Sequence, residues 1–255
     1  MIRVVLSLAA ALLAACSLYA QENDSTNEHF QYAPTRSADG FDMPVGKPNA
    51  DDYYRSRGLI IGHHLGDDWN GNGGGNTDLG APVYSTAHGL TVYAKDARMG
   101  WGNLVIIRHA YWGSGRWNYV DSVYAHLKQI FVREGQQIRR GQLVGSIGTN
   151  HGMYAAHLHF EIRKNLRIGV NQGSYRKDLS NYYKPHEFIA DKRQLKGGGV
   201  EVKVPINTFR LQSEVVDVMG HGDTPSKPPK RQEPAPSTSH PEDPKNGDFR
   251  VNRFN

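Results

Sequence analysis

The 255-residue chain carries a single cysteine, Cys16, so no disulfide can form within it. The apolar run that follows Arg3, from Val4 to Leu13, is too short to stay in a bilayer as a spanning anchor. Long amphipathic helical patterns are missing, which argues against a helical bundle. There is no His-Glu-x-x-His stretch, so a metal site built on one helix with a glutamate base is excluded. The formal charge of +5 suits polyanionic partners, yet no basic motif interleaved with aromatics accompanies it. Nucleic acid is therefore not an expected partner.

What the chain does have is histidine in informative places. His157 and His159, in Ala-Ala-His-Leu-His-Phe-Glu-Ile, are two residues apart and would share one face of a β-strand. Leu158 and Phe160 would then face a core. Alone, such a pair also occurs on exposed strand edges. A second cluster is Gly62-His63-His64-Leu65-Gly66-Asp67-Asp68, where Gly66 and the Gly/Asn-rich stretch beyond favour a bend over a helix. Its spacing fits both His63/Asp67 and His64/Asp68. A third histidine lies in Ser122–Leu127, which reads as a strand with Tyr124 and His126 on one face and Val123, Ala125 and Leu127 on the other. Together these residues suffice for a catalytic zinc site, which needs three protein ligands and an open position. Histidines left over can handle protons, because their unperturbed pKa is about 6.5.

Five blocks occur in order: His64-Leu-Gly-Asp-Asp68, Gly80-Ala-Pro-Val83, Tyr124-Ala-His-Leu127, Gly135 through Gly141-Gln142, and His157-Leu-His-Phe-Glu161. In this the chain resembles the LytM/lysostaphin-type zinc endopeptidases, which cut peptide bridges in bacterial peptidoglycan. The resemblance spans about residues 60–165 and selects His64 and Asp68 over His63 and Asp67. It implies that His64, Asp68 and His159 bind one zinc ion, and that His126 and His157 are catalytic histidines assisting a zinc-activated water. It also implies a groove-bearing antiparallel sheet with the metal at its floor, and peptidoglycan peptide stems as substrate. One departure is the stretch from Trp69 to Leu79, longer than the family's usual link and expected beside the metal.

The remaining pattern is β from Ala81 onward, so the fold class is all-β and mostly antiparallel. Val83–Ala87 and Leu90–Ala94 read as a hairpin around His88-Gly89. Leu104–Arg108 reads as a buried strand, and Ile130–Val132 and Leu143–Ile147 flank a Gly135/Gly141 hairpin. A short helix is expected around Glu187–Asp191 after Pro185, and an edge strand within Val200–Leu211. Leu13-Ala-Ala-Cys16 resembles a bacterial lipobox, which implies signal cleavage before Cys16, a lipid on its thiol, and an exported, membrane-anchored lipoprotein facing the periplasm or cell exterior. The expected organisation is a signal at 1–15, a flexible tether at 16–45, the zinc domain at 46–195, an extension strand within 196–219, and a Pro/Ser/charged disordered tail at 220–255. A monomer is expected. His151 and Tyr154, in the loop leading to His157, are candidate substrate contacts; Trp69 and Trp101 read as core or rim packing. A non-catalytic scaffold or activator of other wall hydrolases is the rival reading. A lipoyl-type carrier is excluded by the missing hairpin lysine.

Overall fold

Strands rich in valine, isoleucine and tyrosine dominate the regular structure of the described residues. The structure, a computed structural model, describes residues 30–209. In chain order its strands are β1 (Tyr32–Arg36), β2 (Tyr53–Arg57), β3 (Asp67–Gly71), β4 (Pro82–Tyr84), β5 (Gly89–Asp96), β6 (Asn103–Gly113) and β7 (Arg116–Ile130). They continue with β8 (Gln137–Ile138), β9 (Leu143–Ile147), β10 (Leu158–Arg163), β11 (Tyr182–Tyr183) and β12 (Glu201–Pro205). The one α-helix among the described residues, α1 (Pro185–Asp191), opens on the proline that its first turn tolerates. No helix among the described residues is long and apolar enough to cross a membrane.

Every described strand pair is antiparallel, as the all-β reading expected. The main sheet runs β2-β3-β10-β7-β6-β5-β8, with β11 added beside β10 and the β4–β9 pair joined through β7. Its spine is the β6–β7 hairpin, closed by Ser114 and Gly115 at φ +53° and +74°. Two positive φ values in a two-residue loop match the twist of the strands they join.

The two faces of the sheet do different work. One buries Val105, Ile107, Tyr124, Leu158, Phe160 and Ile162 against Phe188 and Ile189 of α1, forming the main core. Complete burial of one such side chain stabilises the fold by about 1.5–3 kcal/mol. The other face holds a smaller cluster of Leu104, Ile106, Val123 and Ala125, capped by Trp101, Val170 and Phe209. Between β6 and β7, Arg108 and Asp121 stand opposite each other and form a buried two-pronged ion pair, both bonds 2.7 Å. Arg108 also donates to the carbonyls of Pro205 and Leu166, binding the C-terminal strand and the 164–175 loop to the sheet.

Two expectations need correction. The stretch 83–94 is not a hairpin: β4 pairs with β9, and β5 pairs with β6 and β8. His88 instead accepts a bond from the Arg140 N–H, so its loop turns between distant partners rather than neighbours. The tether expected to reach residue 45 ends sooner, because Phe41 and Val45 are wholly buried and β1 pairs with β12. The short helix is present, and the C-terminal strand pairs with β1 in a separate two-stranded sheet. The signal, Cys16 and the tail at 220–255 lie outside the described residues.

Candidate metal centre

Strand alternation puts His159, Glu161 and Arg163 on the second face of β10 while Leu158, Phe160 and Ile162 enter the core. The neighbouring register aligns Asp68 of β3 and Ala125 of β7 with His159. Cross-strand partners share a face, so Asp68 joins His159, whereas Asp67 falls on the opposite face. There Asp67 accepts the backbone N–H of His186, and burial raises its pKa. His64 reaches the cluster from the loop before β3. That loop packs directly on β10: a Cβ on Gly66 would stand 2.4 Å from the Phe160 carbonyl oxygen.

The result is a tight triangle. His64 Nε2 lies 3.0 Å from Asp68 Oδ1 and 3.1 Å from His159 Nδ1, and His159 Nδ1 lies 2.9 Å from Asp68 Oδ1. The outer nitrogens are already committed. His64 Nδ1 donates to the Gly58 carbonyl at 2.9 Å, and His159 Nε2 donates to Glu161 Oε1 at 3.0 Å. In neutral rings these bonds leave lone pairs on the inner nitrogens, so three acceptor atoms converge on one point. That arrangement calls for a cation. Ligands about 2.0–2.1 Å from a tetrahedral ion stand roughly 3.3 Å apart, close to the spacing seen. Outer-nitrogen bonds to a carboxylate and a carbonyl are also how metal-ligating histidines are held. The residues therefore fit a metal ion.

Behind the triangle, Glu161 is wholly buried and receives bonds from Arg163 Nε (2.6 Å), Gln172 Nε2 (2.6 Å) and His159. Burial alone would raise its pKa, but the charge of Arg163 and the bond from His159 lower it, so it stays ionised. Arg163 in turn lies over the Trp101 ring, 5.3 Å from its centroid. Glu161→Gln should weaken metal binding by about 10- to 100-fold, the usual cost of losing such a partner; competition with a chromophoric chelator measures it.

Burial opposes charge on His159, but bonds to Asp68 and then Glu161 outweigh it and raise its pKa to about 9. For Asp68 burial acts upward, yet the bonds from His159 and His64 hold its pKa well below the usual carboxylate range. A raised pKa means His159 is protonated below pH 9 and must lose that proton to bind a metal. Metal affinity should therefore climb by about tenfold per pH unit between pH 7 and 9 and flatten above. Calorimetry in buffers of different ionisation enthalpy should find about one proton released at pH 7.

Two more histidines face the triangle. His126 lies on a β-bulge: the register with β6 slips between Val105/Tyr124 and Asn103/Leu127, and His126 adopts φ +62°. Such a backbone costs about 1–3 kcal/mol, and bulges re-aim side chains near functional sites. Here the bulge overturns the expected alternation. Tyr124 and Leu127 both face the main core, and His126 swings to the cleft side with Ala125. His157 arrives opposite because Gly148 lets the 148–157 loop cross the bulge; a Cβ there would meet the His126 oxygen at 2.4 Å. The two rings stand 4.9 Å apart between centroids. Both donate Nδ1–H to backbone carbonyls, of Trp101 (3.1 Å) and Ala155 (2.8 Å), leaving Nε2 without a hydrogen bond; that of His157 lies 3.8 Å from Asp68 Oδ1. Burial, then the nearby His159 and His157, lower the His126 pKa to about 3, so it is neutral.

These groups line an open cleft of about 420 Å³, with Trp101, Tyr154 and Gln172 on its walls. His63 is exposed at the rim. The 69–79 stretch, expected beside the metal, does not line the cleft. Asn70 and Asn76 tie it to the backbone of Ala156 on the flank, and Trp69 is buried in the core. His151 pairs with Asp96 outside the cleft, and His109 is wholly buried, which lowers its pKa to about 4. Sequence reasoning assigned no role to Glu161 or Gln172. The period-2 run His159-x-Glu161-x-Arg163 was the available signal for the first; Gln172 had none.

An antiparallel sheet that gathers a His/Asp/His group at the floor of an open cleft is the architecture of a metallopeptidase-type domain. The chain belongs to peptidase family M23, whose sequence profile matches residues 70–172. That match covers His126, His157 and His159 and begins just after His64 and Asp68. A lipoprotein NlpD of Yersinia enterocolitica is 39% identical over 84 residues, 33% of this chain and 78% of that one. The murein hydrolase activator NlpD of Escherichia coli K12 is 40% identical over 84 residues, 33% of this chain and 20% of that one. The chain spans only about a fifth of that Escherichia coli relative and about a quarter of a lipoprotein NlpD/LppB homolog of Pseudomonas aeruginosa. Among solved structures, a zinc-containing peptidase from Vibrio cholerae is 26% identical with a TM-score of 0.36, covering 48% of this chain and 36% of that one.

Proposed function

We propose that this chain is a zinc-dependent endopeptidase that hydrolyses peptide cross-links of bacterial peptidoglycan. The observation that carries the reading is the convergence of three ligand atoms, each with its other nitrogen or strand position fixed, beside two further histidines whose Nε2 atoms make no hydrogen bond. His64, Asp68 and His159 would hold the ion. When bound, zinc supplies Lewis acidity, polarising a carbonyl and making water more acidic. His126, held neutral, accepts the proton of the attacking water at Nε2. His157, across the cleft, carries a proton to the developing oxyanion or the departing amine. Tyr154 and Trp101 form walls that keep the peptide against this row.

The name of the Escherichia coli relative supports a second reading, a non-catalytic activator of other wall hydrolases. The complete set His64, Asp68, His126, His157 and His159 favours the enzyme. Incubating the full chain with isolated peptidoglycan, with and without chelator, separates the two. The enzyme releases chelator-sensitive fragments identifiable by mass spectrometry; an activator releases none.

The peptidase unit is proposed to run from Tyr32 to Phe209, wider than 46–195, because β1 and β12 pair and Phe41 fills the core. The lipobox-like Leu13–Cys16 segment and relatives named as lipoproteins support an exported protein anchored through lipid on Cys16. Mass spectrometry of the mature N-terminus tests this: an acylated Cys16 is expected, and a start at Gln21 would refute it.

A further inference from the structure

We propose that Arg57 forms a carboxylate-recognition subsite at the outer edge of the cleft, so that the substrate is an acidic peptide with a free carboxylate close to the scissile bond. The inference rests on reading the cleft as a peptide site.

The register places Arg57 in one lateral row with the metal-binding group. Arg57 of β2 stands opposite Asp68 of β3, and Asp68 stands opposite His159 of β10. Strands are about 4.8 Å apart, so the Arg57 backbone lies about 10 Å from that of His159. β2 ends the strand path of the main sheet, and a bulge between Arg55 and Arg57 breaks the alternation there. The two arginines have different surroundings. Arg55 approaches the buried Asp67 on the core side, at 3.6 Å. Arg57 lines the cleft.

Arg57 is exposed, and its guanidinium has no ion pair or hydrogen bond among the described residues. Among those residues it is also the one arginine or lysine that lines the cleft. Its neighbour Asp68 already has two hydrogen-bond partners, His159 at 2.9 Å and His64 at 3.0 Å, and makes no contact with Arg57. A guanidinium left unpaired beside a peptide cleft presents a planar fork of N–H donors, which a carboxylate matches with two bonds. An extended peptide advances about 3.3 Å per residue. With a carbonyl at the floor, a carboxylate one or two residues away comes within reach of the Arg57 side chain.

The test uses the full chain stripped of metal, so that binding is read without turnover. The probes are the stem tetrapeptide L-Ala-γ-D-Glu-L-Lys-D-Ala with both carboxylates free and the same peptide with both amidated. Wild type should bind the acid form about tenfold or more tighter than the amide, in line with a charge-assisted pair. Arg57→Ala should lose that preference while keeping its amide affinity, and Arg57→Lys should retain part of it. Zinc affinity should be the same in all three. No preference in wild type, no binding of either peptide, or full preference in Arg57→Ala would overturn the subsite. So would an Arg57→Ala chain whose only change is stronger metal binding, the mark of a counter-ion to Asp68. A preserved preference without chelator-sensitive release from peptidoglycan would remove the peptidase reading and leave the subsite standing.

Discussion

A His159→Ala chain is expected to lose its metal and with it all chelator-sensitive cleavage. Structural zinc binding of about 10–16 kcal/mol, shared among four ligands, makes one ligand worth about 2.5–4 kcal/mol, or roughly 70- to 900-fold in affinity. His159 is more exposed to this loss than its partners because it bonds both Asp68 and Glu161. Removing it leaves Asp68 partly buried with His64 as its remaining close hydrogen-bond partner. The Asp68 pKa should then rise, since the larger of its two hydrogen-bond contributions comes from His159. Glu161 keeps Arg163 and Gln172, so the fold should survive. Metal content after dialysis and a thermal melt check both halves. Stoichiometric zinc retained by the His159→Ala chain would overturn the ligand assignment.

Replacing His126 is expected to separate binding from chemistry. The variant should keep zinc, because His126 contributes no atom to the His64, Asp68 and His159 triangle. Loss of a positioned proton acceptor should lower turnover by about 100- to 10,000-fold. His126→Asn is the cleaner substitution, since asparagine tolerates the left-handed backbone that this position adopts at φ +62°. His126→Ala should follow the same pattern at some extra cost in stability. Zinc content at wild-type level together with collapsed release of peptidoglycan fragments is the expected signature. Normal hydrolysis by either variant would remove His126 from the mechanism.

Much of the site was legible because its signals are local. His157 and His159 share a face wherever that segment is a strand, and period 2 also puts Leu158 and Phe160 in the core. The choice of Asp68 over Asp67 came from the resemblance, and strand pairing supplies a physical basis for it. Other features were not legible because they depend on distant partners. The face of His126 was misread, since a bulge is set by what the neighbouring strands require and not by the alternation of Tyr124 and Ala125. Likewise β4 looked like one arm of a hairpin, but its partner β9 lies some sixty residues onward.

By itself, the order of residues determined the strand character, the histidine pair, the metal-capable composition and the resemblance to a zinc peptidase family. Each depends on side-chain chemistry or on spacing within a few residues, where backbone geometry has few options. Only the tertiary structure decided that His64 Nε2, Asp68 Oδ1 and His159 Nδ1 meet within about 3 Å, with the outer nitrogens of both histidines already bonded. It also decided that the 69–79 stretch stays out of the cleft and that Arg57 lines it. Those outcomes follow from register between strands far apart in the chain, and register is chosen by burying a whole face at once, which no short stretch of sequence can encode.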